Sequence, residues 1–303
     1  KMKTDTPLGS RIAEVHNGSA LFTGDAGSGE SNARRYLIES DLVEAVIALP
    51  EKMFYNTGIG TYIWVLSNKK EERRKGKIQL IDATTMKSPL RKNMGEKNCE
   101  LTSELRDEIM RIFMEMEESS VSRVFDNREF GYWSITVERP LRLRVYPDRT
   151  IPANAFKKSE ELEQVQKAIR SVPAGTPTDD WVAFAKATKL KAAALKKIRP
   201  FITEKDPTAQ PIDGEPDTDL RDTEIIPFAY EGGIDAFMKN EVLPYAPDAW
   251  VDEKKTQIGY ELSFTKYFYQ PVQLRSMEEI VADLKKLESE TDGMVAEILG
   301  GVE

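Results

Sequence analysis

Phe54, Tyr55 and Asn56 set two aromatic rings and an amide side by side, inside a stretch (residues 49–66) around which the chain is organised. Residues 62–66 form a continuous β-branched, aromatic and aliphatic run, predicted to be a buried strand. The apolar run before it ends at Pro50, so both rings fall on a loop between strands. Rings placed there can stack on a planar group, or they can simply cap the sheet edge. A second candidate is the loop holding Gly24, Gly27 and Gly29, just ahead of a predicted helix over 31–40. Backbone amides at a helix N-terminus can cradle a phosphate. The glycine spacing matches neither G-x-G-x-x-G nor the Lys-containing P-loop, which leaves an ordinary mobile surface loop as the other reading. With one histidine (His16) and one cysteine (Cys99), a Cys/His zinc cluster is excluded. These two and the carboxylates form no pattern of nucleophile, base and orienting group, so no catalytic residue is assigned.

The elements that must position these groups follow from periodicity. Strands are predicted over 11–15, 42–49, 62–66 and 78–81, with Ser31 as cap of the 31–40 helix and Arg34 and Arg35 on its exposed side. The link 69–77 suggests that the last two strands form an antiparallel hairpin. Helices are predicted over 101–118 (capped by Thr102 or Ser103), 159–170, 180–199 and 233–242, with an extended segment over 133–145. Residues 206–222 are rich in Pro, Asp, Gly and Thr and are predicted to be a flexible linker. Near the end, Ser276 and Glu279 make a capping box. Met277, Ile280, Leu284, Leu287, Thr291, Met294 and Ile298 follow at alternating spacings of three and four, a seam broken only by Thr291, for a partner helix or for the chain's own body.

At 303 residues the chain is long enough for two domains. No apolar run approaches the ~20 residues that span a bilayer, so no membrane partner is expected. A single cysteine cannot form an internal disulfide, which fits a reducing cytoplasm. The net charge of -8 argues against a uniformly basic nucleic-acid clamp and leaves local patches open.

Several segments carry a family resemblance. Gly9-Ser10-Arg11-Ile12-Ala13-Glu14-Val15-His16-Asn17-Gly18-Ser19, Leu21-Phe22-Thr23-Gly24, Leu49-Pro50 and Phe54-Tyr55-Asn56-Thr57-Gly58-Ile59 closely resemble the modification subunit of type I restriction–modification systems. The likeness resumes at Lys77-Ile78-Gln79-Leu80-Ile81-Asp82-Ala83, at Glu138-Arg139-Pro140-Leu141-Arg142-Leu143 and at Ile258-Gly259-Tyr260-Glu261. That family transfers a methyl group from S-adenosylmethionine to the exocyclic amino group of adenine in DNA. Its glycine cofactor motif and its Asn-Pro-Pro-Phe catalytic motif lie upstream of the Gly-Ser-Arg-Ile segment. Neither Asn-Pro-Pro nor Asp-Pro-Pro occurs here, and the sequence starts at Lys1. The resemblance therefore implies a C-terminal portion, inactive alone, with the cofactor bound by the other half.

The implied fold is α/β: the C-terminal half of a doubly wound Rossmann-like methyltransferase sheet (1–95), then a mostly helical tail (96–275) and a partner-docking helix (276–303). Phe54, then Tyr55, with Asn56, would hold a flipped target adenine. Lys186, Lys189, Lys191, Lys196, Lys197 and Arg199, with no acidic residue from 181 to 203, would meet the DNA backbone or else form a solvated face. The basic link 69–77 is the weaker alternative, because its charge is locally neutralised. Implied partners are DNA and the specificity and restriction subunits, the C-terminal helix packing on the specificity subunit. A non-catalytic interaction module is the rival reading, and an unrelated α/β enzyme using the Gly-rich loop a third.

Overall fold

The computed structural model describes residues 2–269 and 276–300. The chain divides into two units, Lys1–Leu262 and Ser263–Glu303. The first unit opens with β1 (Arg11–Asn17), the short α1 (Ser19–Phe22), α2 (Gly29–Glu39), β2 (Val43–Ala48), β3 (Thr61–Ser67) and β4 (Lys77–Asp82). A two-stranded ribbon, β5 (Ser88–Met94) and β6 (Lys97–Glu100), then precedes α3 (Ser103–Glu115) and β7 (Ser122–Asp126). All six residues of β2 are buried, five of them aliphatic as a central strand requires and the sixth, Glu44, paired with Arg11 at 2.7 Å.

The sheet runs in the order β1-β3-β2-β4-β7 and is mixed. β3 is antiparallel to β1 and β2, β2 is parallel to β4, and β4 is antiparallel to β7. The expected hairpin between β3 and β4 is therefore not formed, because β2 lies between them. The link 69–77 is no free turn. Lys70 and Arg74 are buried, and Arg74 donates to Gln79 and to the carbonyl of Phe113 at the end of α3. α3 is capped by Thr102 as predicted, and lays Ile109, Ile112 and Phe113 on Ala45, Ile47, Val65 and Ile81.

The remainder of this unit is not mostly helical. β8 (Gly131–Glu138) and β9 (Pro140–Val145) lead into α4 (Ser159–Arg170), α5 (Trp181–Thr188) and α6 (Ala192–Ile202). β10 (Thr203–Lys205), β11 (Pro211–Pro216), β12 (Asp222–Pro227), α7 (Gly233–Phe237, running into a π turn Met238–Val242), β13 (Trp250–Val251) and β14 (Gln257–Tyr260) complete it. β9 is flanked by β10 and β11, and β8 is paired by β12, β13 and β14. The predicted linker 206–222 holds β11 instead, with Ala209, Ile212 and Asp217 buried. The predicted helix 180–199 is two helices, parted where Lys189 adopts a left-handed conformation (φ 57°).

The second unit contains α8 (Phe264–Phe268) and α9 (Met277–Gly300). The Ser276–Glu279 capping box is present in both directions, at 3.1 and 3.2 Å. Met277, Ile280, Leu284 and Leu287 are exposed, while the side chains of Met294 and Ile298 lie outside the described residues. Among the described residues no helix is long and apolar enough to cross a membrane.

Candidate nucleic-acid interface

The aromatic loop leaves β2 at Leu49-Pro50 and re-enters the sheet at Thr61. Phe54 and Thr57 form an isolated backbone bridge, which closes a tight turn and puts Tyr55 and Asn56 at its tip. Phe54 is half-buried, whereas Tyr55 is 59% exposed. The sequence did not anticipate that the β5–β6 ribbon braces this loop. Glu96 N donates to Tyr55 O and Asn98 N to Lys52 O, each at 3.0 Å. Cys99 Sγ faces the Glu51 carbonyl at 3.3 Å, and Lys97 Nζ stands 5.1 Å from the centre of the Tyr55 ring. Gly95, at φ +64°, sits so close to the Tyr55 carbonyl that a Cβ would collide with it. Arg91 and Lys92 project from the same ribbon, exposed. The Gly95 turn between two alternating segments was the available sequence signal for this ribbon.

The buried thiol reports on this bracing. Cys99 is 2% exposed, so a disulfide reagent should label it slowly in the native protein. A Gly95→Val change, which pushes the ribbon off the loop, should speed labelling by about tenfold or more if it raises the open population by at least 1.4 kcal/mol. Equal rates would show that the ribbon does not hold the loop.

The Gly24–Gly29 loop is filled by its own side chains. Ser28, not Ser31, caps α2 by accepting from Ser31 N, and Asn32 donates to Gly27 O. A Cβ on Gly24 would meet Ser28 and Glu30, and one on Gly27 would meet Gln257. With Glu30 in the first turn of α2, a carboxylate stands where a phosphate would have to sit, so the loop does not suit one.

Arg34, expected on the exposed side of α2, is 4% exposed. Its Nε donates to Tyr260 O at 2.6 Å, and its Nη1 to Thr23 O at 2.8 Å and Ala20 O at 3.3 Å. Ser31, also buried, accepts from Tyr260 N. Burial and the neighbouring Glu39 push the Tyr260 phenol up to about 12, so it remains a donor to Glu39 at 3.2 Å. The motif Ile258-Gly259-Tyr260-Glu261 therefore belongs structurally with α2, although some 226 residues separate Tyr260 from Arg34. A cavity of about 410 Å³ opens beside α2, walled by Leu37, Trp64 and Leu66.

The basic candidates separate in the same way. Lys186, Lys189, Lys191, Lys196 and Lys197 are exposed, and Lys197 lies over the Phe156 ring. Arg199 is instead engaged, bonded to Glu215 at 2.8 Å and facing Trp181.

Residues 3–138 match the N-6 DNA Methylase family. That segment, a little under half of the chain, is similar to the family. The methylase segment ends with β8, so it contains the whole mixed sheet, the aromatic loop and its ribbon. Among curated relatives, the chain is 31% identical over 169 residues to the type I restriction enzyme MjaVII methylase subunit of Methanocaldococcus jannaschii, a match covering 54% of this chain and 27% of that protein. It is 44% identical over 54 residues to the HindI methylase subunit of Haemophilus influenzae, covering 18% of this chain and 12% of the relative. A solved type I methyltransferase subunit from Streptococcus thermophilus aligns over 40% of this chain and 24% of its own, with 22% identity and a TM-score of 0.34. The chain thus spans about a quarter of the MjaVII methylase subunit. The resemblance to type I modification subunits read from the motifs stands, and the methylase segment is where it is anchored.

Proposed function

We propose that this chain is a C-terminal portion of a type I DNA adenine methyltransferase subunit. It would contribute the target-base loop, while S-adenosylmethionine and the Asn-Pro-Pro-Phe motif come from a part of the subunit outside this sequence. The observation that carries the reading is the aromatic turn 54–57, held open at the end of β2 by a dedicated ribbon inside the methylase segment. One feature supports this reading: β1 is an edge strand exposed along nearly all of its length, a surface another part of the subunit can cover. In the intact subunit the reaction is methyl transfer from the sulfonium to the adenine amino group.

Within that reading Phe54 stacks on the flipped adenine. Tyr55, the more exposed ring, is second, and Asn56 lies within reach of the base edge. Lys186, Lys189, Lys191, Lys196 and Lys197 meet the DNA backbone. α9 docks the specificity subunit through Met277, Ile280, Leu284 and Leu287, and Met294 and Ile298 extend the same seam. The assembly with the restriction subunit and a cytoplasmic location follow from the same reading.

The test uses the intact subunit assembled with its specificity subunit, on a duplex carrying 2-aminopurine at the target base. Phe54→Ala is expected to weaken capture of the flipped base by ~1–3 kcal/mol, roughly 5- to 150-fold, with Tyr55→Ala showing which ring carries more. Unchanged affinity and turnover in both variants would remove the assignment. The second reading, a non-catalytic docking module, is favoured by the exposed apolar seam of α9. Copurification with a specificity subunit fits both readings, whereas loss of modification in Phe54→Ala fits only the first.

A further inference from the structure

Outside the methylase segment, the helices α4, α5 and α6 share one core. Val165 and Ile169 come from α4, Trp181 and Phe184 from α5, and Ile198 and Ile202 from α6. α5 and α6 are joined by three residues, 189–191. The first of these, Lys189, holds the left-handed conformation in which a tight helix–helix turn usually places glycine, and the second, Leu190, packs against the core. Eight residues, a three-residue turn and eleven residues, with both helices contributing to one core, is the layout of a helix-turn-helix.

The outer face of α6 is built differently from its inner one. Ala192, Ala193, Lys196, Lys197 and Pro200 are exposed, so the face is small at its start and cationic further on. Small side chains let a helix backbone approach base edges, alanine methyls pack on thymine methyls, and lysines meet phosphates. The groove beside the turn, about 510 Å³, is lined by Lys189, Lys191 and Lys197 with one carboxylate, Glu161. None of Lys186, Lys189, Lys191 or Lys196 has a carboxylate partner among the described residues. They lie on a chain whose net charge is -8, so this is a local positive surface on an acidic protein.

We propose that α5, the Lys189 turn and α6 form a helix-turn-helix that seats the start of α6 in the major groove of duplex DNA, with Lys196 and Lys197 on the flanking phosphates. The choice of DNA as the ligand rests on the methylase reading, but the site lies apart from the target-base loop and can be tested apart from it. It would give the protein a grip on the duplex beyond the base being modified.

The experiment is fluorescence anisotropy of the 303-residue chain with a short labelled duplex, titrated over a range of salt. Wild type should bind duplex in preference to the same strand alone. Lys196→Glu/Lys197→Glu should weaken binding by roughly tenfold or more and lower the slope of log K against log salt by about 2, since two phosphate contacts are lost. Ala193→Glu, which adds a charge on the approaching face, should weaken binding as well. The same charge reversal at exposed Lys239 should change little. All these side chains are exposed, and thermal unfolding followed by circular dichroism checks that each variant folds. Absence of duplex binding by wild type, preference for single strands, or equal weakening by Lys239→Glu would overturn the proposal. Tyr55→Ala separates the two readings. Duplex binding that survives in Tyr55→Ala and fails in the α6 variants supports the helix-turn-helix whatever becomes of the target-base loop.

Discussion

An Arg34→Ala variant is expected to lose about 3–5 kcal/mol of stability, seen as a fall in the urea midpoint. The guanidinium is buried, and it serves the carbonyls of Tyr260, Thr23 and Ala20. Removing it strands these acceptors, each costing about 1–3 kcal/mol where water cannot reach, and leaves a void against α2. One offset is built in, since burying a cation is itself unfavourable and its removal returns part of that cost. Arg34→Met, which refills the volume without the charge, should therefore fall between alanine and wild type. Arg34→Lys keeps the charge but not the fork, so it should restore at most one of the three bonds. The neighbouring Arg35→Ala is a control. Its ion pair with Glu39 is exposed and spaced four residues along the helix, worth about 0.3–0.5 kcal/mol. A loss in Arg34→Ala no larger than in Arg35→Ala would show that the link from α2 to β14 does not hold this unit together.

The second large effect centres on Asp41, a non-glycine residue at φ 54° immediately after α2. Its carboxylate accepts from Lys70 Nζ at 2.5 Å, from Gly76 N at 3.0 Å and from Asn127 Nδ2 at 3.0 Å. The side chain of Lys70 is 2% exposed, and that of Asp41 32%. The asymmetry decides which removal costs more. Asp41→Asn leaves a buried ammonium with no anion and should destabilise by about 2–4 kcal/mol, reduced from the fully buried case because water reaches the position. Lys70→Met leaves a carboxylate that keeps two donors and some water, and should cost about 1–2 kcal/mol. Burial alone would raise the Asp41 carboxyl, but the Lys70, Gly76 and Asn127 bonds outweigh it and hold it below its ordinary value. A folded pKa below the unfolded one means the unfolded chain takes up the proton first. The contribution is therefore complete above the ordinary aspartate value and disappears as the pH falls through the lower folded one. Urea midpoints from about pH 6 down to about pH 3 should converge for wild type and Asp41→Asn. A constant gap across that range would mean the carboxylate's charge is not what matters.

Much of the fold could be read from residue types where one face of an element alone determines its place. β2, apart from Glu44, and the middle of β3 are apolar runs, and Thr102 and Ser276 announce the helices they cap. The misreadings share a cause. On α2 the buried positions include Ser31 and Arg34 beside Ile38, so polarity pointed the wrong face outward. A strand 226 residues away, together with the carbonyls of Thr23 and Ala20, explains it. β11 is hidden in a Pro-, Asp- and Gly-rich stretch because it needs only Ile212 to anchor it against the helical core. The break after α5 carries a lysine where glycine would have advertised a turn. For the site, the rings and the lysines were legible, because their chemistry is their own. Which of the basic residues are free was not, since Arg199 is claimed by Glu215 and Trp181 from elements that periodicity could not bring together.

The Arg34–Tyr260 tie also bears on how the protein is made. A ribosome adds about 5–20 residues per second, so α2 leaves it roughly 10–45 s before the strand that receives its arginine. During that interval β1 to β4 can assemble, but α2 carries a cation whose Nε still lacks its acceptor on the face it must bury. A nascent chain stalled or cleaved short of Tyr260 keeps every residue of the mixed sheet, yet it presents that face to chaperones and proteases. Quality control of this protein is thereby tied to completion of a four-residue strand.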